Sequence, residues 1–269
     1  MKEIPNIFAT EDTYHSAPLI KKSSILNTGK FYWKLVKVIY KSNRLAKKNE
    51  FDGYQYVNSS IQLIRGFESC GINFHFEGMK NLQKFDGPAV FIGNHMSSLE
   101  TVALPGIIHP IKKVVFVVKH ELTTYPLFGP VNNAIDPIVV GRANPRDDLR
   151  IVMEGGAARL KAGKSIILFP QRTRSFKFDT SAFNTLGVKL AVKNNVPAVP
   201  IALVTDAWGY GKIIKDFGKI NPALHVHIAI GEPINVTGNG SEAQKVVIGF
   251  IESKLKEWGR EHYLVSSSK

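Results

Sequence analysis

Short apolar runs alternate with longer segments of helical periodicity over most of the chain, from about Gly71 to the end. Several of these runs are almost continuously apolar and β-branched, which is typical of strands that are buried on both faces of a sheet. The runs cover residues 89–92, 114–118, 137–140, 165–169, 198–204 and 226–230. Because helices separate the strands, the pattern predicts an α/β fold with a mostly parallel central sheet flanked by helices.

Start and stop signals mark the helices between these strands. In one of them, Asn144 is a capping residue, Pro145 takes the first helical position, and Gly163 follows the last periodic residue. The helical spacing of apolar residues predicts two more helices, over residues 181–194 and 241–258. These are the helices that we expect to flank the sheet.

The first 70 residues have a different pattern. Residues 1–29 are polar and aperiodic, and we expect them to form a lead-in. Basic side chains then recur at steps of three and four along one helical face, while apolar side chains occupy much of another. The basic set is Lys34, Lys37, Lys41, Arg44 and Lys48, and the apolar set is Trp33, Val36, Ile39 and Tyr40. A break at Asp52-Gly53 precedes a second helix, predicted from about residue 54 to residue 69.

Residues 30–70 are therefore predicted to form an N-terminal pair of amphipathic helices, followed by an α/β domain over residues 71–269. A basic stripe beside apolar side chains is typical of a helix that lies on a membrane surface. A helix that packs on the domain and leaves its lysines in solvent explains the same pattern equally well.

Charge and composition limit the partners. The 269 residues carry a formal charge of +13, which indicates anionic partners such as lipid head groups or phosphorylated substrates. Nucleic acid is not expected, since neither zinc-finger spacing nor an aromatic-rich RNA-binding motif is present. No window approaches the roughly 18 apolar residues of a spanning helix, and the N-terminus lacks a secretory signal. We therefore expect a peripheral protein on the cytoplasmic face of the cell membrane, which is anionic.

His95 and Glu100 stand where the apolar run of residues 89–92 gives way to a polar turn. An imidazole can take a proton from a hydroxyl, and a nearby carboxylate can fix its tautomer and stabilise its charged form. Ser97 and Ser98 could cap the helix that follows, whose free N–H groups suit a phosphate or an oxyanion. By itself, the pair is also what a capped helix with an incidental histidine would contain.

Arginines follow two other predicted strands. Arg172 and Arg174 lie in the loop of residues 169–175 (FPQRTRS), and Arg142 comes directly after the 137–140 run. Guanidinium groups at the carboxyl ends of parallel strands stand where α/β sheets bind ligands, and they hold phosphate with paired hydrogen bonds. A solvated basic loop is the alternative for each segment alone.

Metal-ligand spacing is absent from the sequence, apart from His225 and His227, whose rings would face one side of a strand. We interpret that pair as structural, and no metal site is predicted.

Four blocks in a fixed order identify a resemblance. They are a His-x4-acid turn at residues 95–100, a strand end at 138–142 (IVVGR), the 169–175 loop, and a strand entered through proline at 196–201 (VPAVPI). Together they resemble the glycerolipid acyltransferase family, which includes bacterial 1-acylglycerol-3-phosphate acyltransferases. The blocks cover about residues 88–204.

The resemblance implies transfer of a fatty acyl group from acyl-CoA or acyl carrier protein to a lipid hydroxyl, without a metal or other cofactor. His95 resembles the base that deprotonates the hydroxyl. Glu100 resembles the acidic residue that orients the imidazole of this base. Arg142 and Arg174 resemble ligands of the acceptor phosphate. The other members of the predicted substrate-binding set are Gln171, Arg172, Thr173 and Ser175. The family's N-terminal helix pair rests on the membrane, which favours an interfacial role for residues 30–70.

The chain departs from the family pattern at three positions. Glu100 stands where Asp is usual, and we expect the pairing with His95 to survive the extra methylene. Gln171 and Arg172 stand where Glu and Gly are usual. Loss of a carboxylate and gain of a cation in this loop leave the identity of the acceptor open.

We therefore expect a membrane-surface enzyme that acylates 1-acylglycerol-3-phosphate to phosphatidic acid. The alternative within the enzyme class is another acceptor, such as glycerol-3-phosphate, a different lysophospholipid or an aminolipid precursor. A lipid-binding protein that has lost catalysis is the alternative outside that class. A serine hydrolase that uses Ser97 is disfavoured, because no Gly-x-Ser-x-Gly elbow surrounds this residue. No motif reports the acyl-chain length or the choice between the two acyl carriers.

Overall fold

The structure is a computed structural model that describes residues 2–16, 25–141, 143–171, 173–212 and 215–265, without the side chains of residues 25–27. Within these residues the chain forms an eight-stranded sheet in the order β1-β2-β8-β7-β3-β6-β4-β5. The strands are β1 (Thr13–His15), β2 (Phe74–Glu77), β3 (Val90–Gly93), β4 (Val114–Lys119), β5 (Ile138–Val140), β6 (Ser165–Leu168), β7 (Ala198–Val204) and β8 (Val226–Ile230).

Helices separate the strands of the central sheet along the chain, as predicted; two more precede β2 and one follows β8. They are α1 (Ile25–Lys47), α2 (Gly53–Ser69), α3 (Leu99–Ile108), α4 (Glu121–Thr124), α5 (Gly129–Ala134), α6 (Pro145–Lys161), α7 (Leu186–Asn194) and α8 (Ser241–Glu257), with short 3₁₀ turns at Met79–Gln83, Thr180–Ala182 and Glu261–Tyr263. The periodicity does not predict α4 or α5, since helices of four and six residues are too short to show it.

The centre of the sheet confirms the parallel α/β prediction. β7, β3, β6, β4 and β5 are neighbours in that order, and each pair of neighbours runs parallel. Alternate residues of β3 enter two separate cores, because successive side chains of a strand point to opposite faces. Phe91 packs with residues of α1, α2 and α3. Val90 and Ile92 pack with residues of α6, α7 and α8.

Residues 2–16 differ from the predicted lead-in. β1 pairs antiparallel with β2, and β2 pairs parallel with β8, which is itself antiparallel to β7. Phe8 is almost completely buried, and the Tyr14 hydroxyl donates a hydrogen bond of 2.6 Å to Glu68 of α2. The apolar pattern does not show β1 because it is a three-residue edge strand that stays partly in solvent.

The predicted helix over residues 181–194 is wrong in its first turn, since α7 begins at Leu186. Two side chains stop the helix from extending back. Asp179 accepts a hydrogen bond from the backbone N–H of Ser181, and Asn184 accepts one from the N–H of Leu186. Each of these bonds closes a local turn in place of a helical one.

The predicted helix pair of residues 30–70 is present as α1 and α2, with α1 starting five residues earlier than expected. Asp52 caps α2 by accepting a hydrogen bond of 3.0 Å from Gln55 N, and Phe31 of α1 stacks on Phe67 of α2 with ring centroids 4.0 Å apart. Among the described residues, none of the helices is both long enough and apolar enough to cross a membrane.

Candidate active site

The turn between β3 and α3 is fixed to β7 by Asn94. Its side-chain amide donates to the carbonyl of Leu203 at 2.8 Å and accepts from the Leu203 N–H at 2.9 Å. This pair of hydrogen bonds is buried, so the turn is held on the neighbouring parallel strand. His95, Met96, Ser97 and Ser98 follow at the carboxyl edge of the sheet, where α/β folds bind ligands.

Glu100 is completely buried and organises this turn. Its Oε1 accepts hydrogen bonds from the backbone N–H groups of Met96 at 2.7 Å and Ser97 at 2.9 Å. Its Oε2 accepts a hydrogen bond of 2.6 Å from the Thr205 hydroxyl, at the end of β7. The predicted pairing is present as well, since His95 Nδ1 lies 2.8 Å from Oε1.

The environment of Glu100 keeps its carboxyl group ionised. Burial raises the pKa, but the hydrogen bond and charge of His95 and the hydrogen bond from Thr205 outweigh burial, so the pKa is lower than its usual value. An ionised carboxylate only accepts hydrogen bonds, so the proton of a neutral His95 ring lies on Nδ1. The other ring nitrogen, Nε2, is then an acceptor on a side chain that is 18% exposed.

The loop after β6 holds His95 from the opposite side. The His95 ring stacks on Phe169, with ring centroids 4.3 Å apart and planes inclined by 3°. The His95 N–H donates a hydrogen bond of 2.6 Å to Gln171 Oε1, and the Ser175 N–H donates one of 2.9 Å to the His95 carbonyl. Two of the predicted blocks thus meet at one histidine.

The predicted substrate-binding residues of this loop occupy different environments. Gln171 is 8% exposed and supports the backbone of His95, while Thr173 is exposed. The Ser175 hydroxyl accepts a hydrogen bond of 3.0 Å from the N–H of Lys177. Their contact with substrate stays a prediction. Arg142 and Arg172 lie outside the described residues.

Arg174 comes close to the histidine turn, as the resemblance implies for a phosphate ligand. Its guanidinium group donates to the hydroxyl of Ser98 and forms an ion pair with Asp216. Ser98 in turn donates a hydrogen bond of 3.1 Å to Asp216 Oδ1. The guanidinium group of Arg174 therefore contacts the same short turn that contains His95.

The connection between β7 and β8 contributes residues that the sequence analysis did not predict. The Tyr210 hydroxyl donates a hydrogen bond of 2.6 Å to the carbonyl of Met96, and its ring stacks on Phe176. Burial and the nearby charge of Glu100 raise the pKa of Tyr210 to about 12. Thr205 and Asp216 come from the same connection, which has no recognisable motif, so only their contacts identify them.

The His225–His227 pair is placed away from this turn. His227 stacks on Trp258 and meets the edge of His75, which stacks in turn on His15. Among the described residues, no group of three or more His, Cys, Asp or Glu side chains is arranged to hold a metal ion.

Comparisons with known proteins connect the chain to a family of enzymes. Residues 73–204 match the family model described as Acyltransferase. The chain is 27% identical over 192 residues to the 1-acyl-sn-glycerol-3-phosphate acyltransferase of Pseudomonas aeruginosa, covering 71% of this chain and 69% of that one. It is 31% identical over 188 residues to the chloroplastic 1-acyl-sn-glycerol-3-phosphate acyltransferase LPAT1 of Arabidopsis thaliana, covering 68% of this chain and 48% of that one.

A solved structure shows the same fold. The 1-acyl-sn-glycerophosphate (LPA) acyltransferase PlsC from Thermotoga maritima superposes with a TM-score of 0.65 at 21% identity, covering 87% of this chain and 95% of that one. The chain spans about half the length of the Arabidopsis relative. The family match ends at Val204, so it contains His95, Glu100 and Arg174 but neither Tyr210 nor Asp216.

Proposed function

Because the chain belongs to the glycerolipid acyltransferase family, we propose that it transfers a fatty acyl group from an acyl thioester to the hydroxyl of 1-acylglycerol-3-phosphate, which yields phosphatidic acid. The observation that carries this proposal is the hydrogen-bonded pair of His95 and the buried Glu100, with the guanidinium group of Arg174 in contact with Ser98 of the same turn. One side of this arrangement suits proton transfer and the other suits a phosphate.

In the proposed step, His95 Nε2 takes the proton of the acceptor hydroxyl while the oxygen attacks the thioester carbonyl carbon. The carbon–sulfur bond then breaks, and the thiolate leaves with the proton that the imidazolium returns. Glu100 stabilises the imidazolium between these events, because an ionised carboxylate lies 2.8 Å from Nδ1. The histidine thus acts first as a base and then as an acid.

The acceptor phosphate is held by arginine in this proposal. Arg174 offers paired N–H donors that match the geometry of phosphate oxygens. Arg142 is the second ligand implied by the family pattern, and Arg172 is an additional cation that this chain has in place of glycine. The acyl donor is acyl-CoA or acyl carrier protein, which enters as a substrate, and the step uses no metal or other cofactor.

The outer face of α1 supports a peripheral position on an anionic membrane, which we propose is the cytoplasmic face of the cell membrane. Trp33, Val36 and Tyr40 are exposed by 64%, 51% and 56%. Lys37 and Lys41 are exposed beside them. A helix that only packed on its own domain would bury these aromatic side chains, whereas aromatic and basic residues together fit a lipid interface.

Product analysis with a panel of acceptors tests the proposed function. The purified protein is given one acyl donor and 1-acylglycerol-3-phosphate, glycerol-3-phosphate or other lysophospholipids in parallel. We expect phosphatidic acid to form fastest. Faster acylation of a different acceptor would support the alternative acceptor specificity that the unusual residues Gln171 and Arg172 suggest. If no acceptor leads to consumption of the donor, the acyltransferase proposal is rejected, and a lipid-binding protein without catalysis is the remaining alternative.

A further inference from the structure

The guanidinium group that should hold the acceptor phosphate is already occupied by a carboxylate of the same chain. Arg174 pairs with Asp216, and Ser98 donates to Asp216 Oδ1 at 3.1 Å. The contact with Asp216 is made by Arg174 Nη1, which is one of the donors that a phosphate bound by this guanidinium group would use. Asp216 and an anionic head group therefore cannot bind Arg174 in the same way at the same time.

Asp216 is placed so that a ligand can displace its side chain. The Asp216 side chain is 36% exposed, whereas that of Arg174 is 16% exposed. An ion pair with a partly exposed partner contributes less free energy than a buried one, because water screens the attraction. A phosphate with two charges can outcompete it at a modest cost.

The backbone beside Asp216 is anchored, so the displaced carboxylate stays close. The carbonyl of Gly218 accepts a hydrogen bond of 2.5 Å from Tyr32 of α1. The Gly209 N–H donates to the carbonyl of Lys219 at 3.0 Å, which closes this part of the β7–β8 connection. A tethered group has a high effective concentration at its site, so Asp216 competes for Arg174 during every binding event.

We propose that Asp216 is an internal competitor for the acceptor phosphate at Arg174 and thereby sets the charge that an acceptor head group needs. A phosphomonoester, with close to two negative charges at neutral pH, displaces the carboxylate. A phosphodiester has a single charge, which in a phosphocholine head group is balanced by a cation, and it fails to do so. The proposal rests on the proposed function and adds a selection by head-group charge, carried by a residue outside the family match.

Asp216→Asn tests this competition, because the amide keeps the shape of the side chain and removes its charge. The first measurement is the binding of inorganic phosphate to the intact protein. Binding is monitored by the rise in the thermal unfolding temperature as phosphate is added. We expect phosphate to bind about threefold to tenfold more tightly to the variant, since the internal competitor is weakened. Asp216→Ala should have the same effect, and the unfolding curves without phosphate show whether either variant is folded.

The second measurement is acyl transfer to 1-acylglycerol-3-phosphate and to 1-acylglycerophosphocholine. We expect Asp216→Asn to lower the KM for the first acceptor, to raise the rate with the second, and to leave the KM for the acyl donor unchanged. Asp136→Asn is the matched control, because Asp136 is a half-exposed carboxylate that pairs with Arg159 at 2.7 Å. It should change none of these quantities.

Unchanged or weaker phosphate binding in a folded Asp216→Asn protein would overturn the proposal and show that Asp216 only positions Arg174. A wild-type protein that acylates neither lysolipid would reject the proposed function instead. In that event tighter phosphate binding by the variant would still support competition at Arg174, so the two failures are distinguishable.

Discussion

At the scale of single residues, the extra methylene of Glu100 has a structural use. The carboxylate starts from the first turn of α3 and reaches back to the N–H of Ser97, while the Ser97 hydroxyl accepts from the N–H of Leu99 at 3.1 Å. The arrangement is similar to a capping box, except that the Ser97 hydroxyl binds the N–H of Leu99 and not that of Glu100. The same carboxylate also contacts His95, so one side chain binds the N–H groups at the start of the helix and orients the proposed base.

Replacement of Glu100 should therefore cost stability as well as activity. In Glu100→Gln, the buried N–H groups of Met96 and Ser97 lose a charged acceptor, and we expect unfolding to become easier by about 2 to 4 kcal/mol. Urea denaturation at neutral pH measures this difference. A variant as stable as the wild type would show that the turn does not depend on the carboxylate.

The same comparison has a predictable pH dependence. The pKa of Glu100 is lower in the folded protein than its usual value of 4.5. The stability that the ionised group contributes is therefore fully present above about pH 4.5 and is lost as the pH falls towards the folded pKa. The advantage of the wild type over Glu100→Gln should shrink in that acidic range, and a constant difference would contradict the ionised assignment.

Variants of Gln171 can separate support of the His95 backbone from recognition of the acceptor. Its Oε1 accepts the His95 N–H, so Gln171→Glu keeps an acceptor oxygen at that position and Gln171→Met removes it. We expect the Met variant to lose about tenfold in kcat, with little change in acceptor KM, and the Glu variant to stay active. Steady-state kinetics with saturating donor measure both, and equal kcat values for the two variants would contradict the supporting role.

At the scale of elements, α2 and α3 share an apolar core and are also linked by one side-chain hydroxyl group. Pro105 interrupts the hydrogen bonds of α3, and Ser60 of α2 bridges the gap. The Ser60 hydroxyl donates to the carbonyl of Val102 at 2.5 Å and accepts from the N–H of Gly106 at 2.8 Å. The N-terminal helix pair is thus joined to the helix that contains Glu100.

Gly106→Ala should push these helices apart. A Cβ at this position would lie 2.6 Å from the Ser60 hydroxyl oxygen, which is closer than two such atoms can approach. We expect a loss of about 1 to 3 kcal/mol in the free energy of unfolding. The matched control is Gly249→Ala in α8, where a Cβ would contact nothing within 4 Å.

The control should be neutral or stabilising, by up to about 1 kcal/mol, because alanine favours a helix over glycine. Thermal unfolding of both variants measures the contrast. Equal stability of the two would show that the contact between α2 and α3 is loose.

The elements that the sequence predicted are those with strong periodicity or continuous apolar runs. β3 and β6 are examples, because both faces are buried and every residue is apolar or small. β1 was not predictable, since a three-residue edge strand buries too little to leave a pattern. The same reason applies to Tyr210 and Asp216, which reach the site through tertiary packing of a long connection.

At the scale of the whole molecule, charge and exposed aromatic residues lie together on α1. Lys37 lies over the ring of Trp33 at 4.8 Å from its centroid. Each basic residue near an anionic lipid surface contributes about 1 kcal/mol, and salt screens this attraction. The net charge of +13 acts in the same direction.

Reversal of Lys37 and Lys41 to Glu should weaken binding to vesicles that contain phosphatidylglycerol by at least tenfold at low salt, since two charges change sign and the net charge of the surface falls by about four units. Vesicle sedimentation in rising salt measures this. Arg150→Glu is the control, because it reverses one exposed cation on α6, outside the surface of α1. It should weaken vesicle binding much less. Binding that is insensitive to salt and to both reversals would contradict an electrostatic contribution.

The central claim is that His95 is the base for acyl transfer to a lipid hydroxyl. It is tested most directly by the turnover of 1-acylglycerol-3-phosphate by His95→Ala, with vesicle binding measured on the same sample. We predict that kcat falls by at least a hundredfold while vesicle binding stays at the wild-type level, because the proposed proton transfer needs the ring, whereas the proposed membrane contact is made by other residues, on α1. A folded variant that retains the wild-type kcat would contradict the claim.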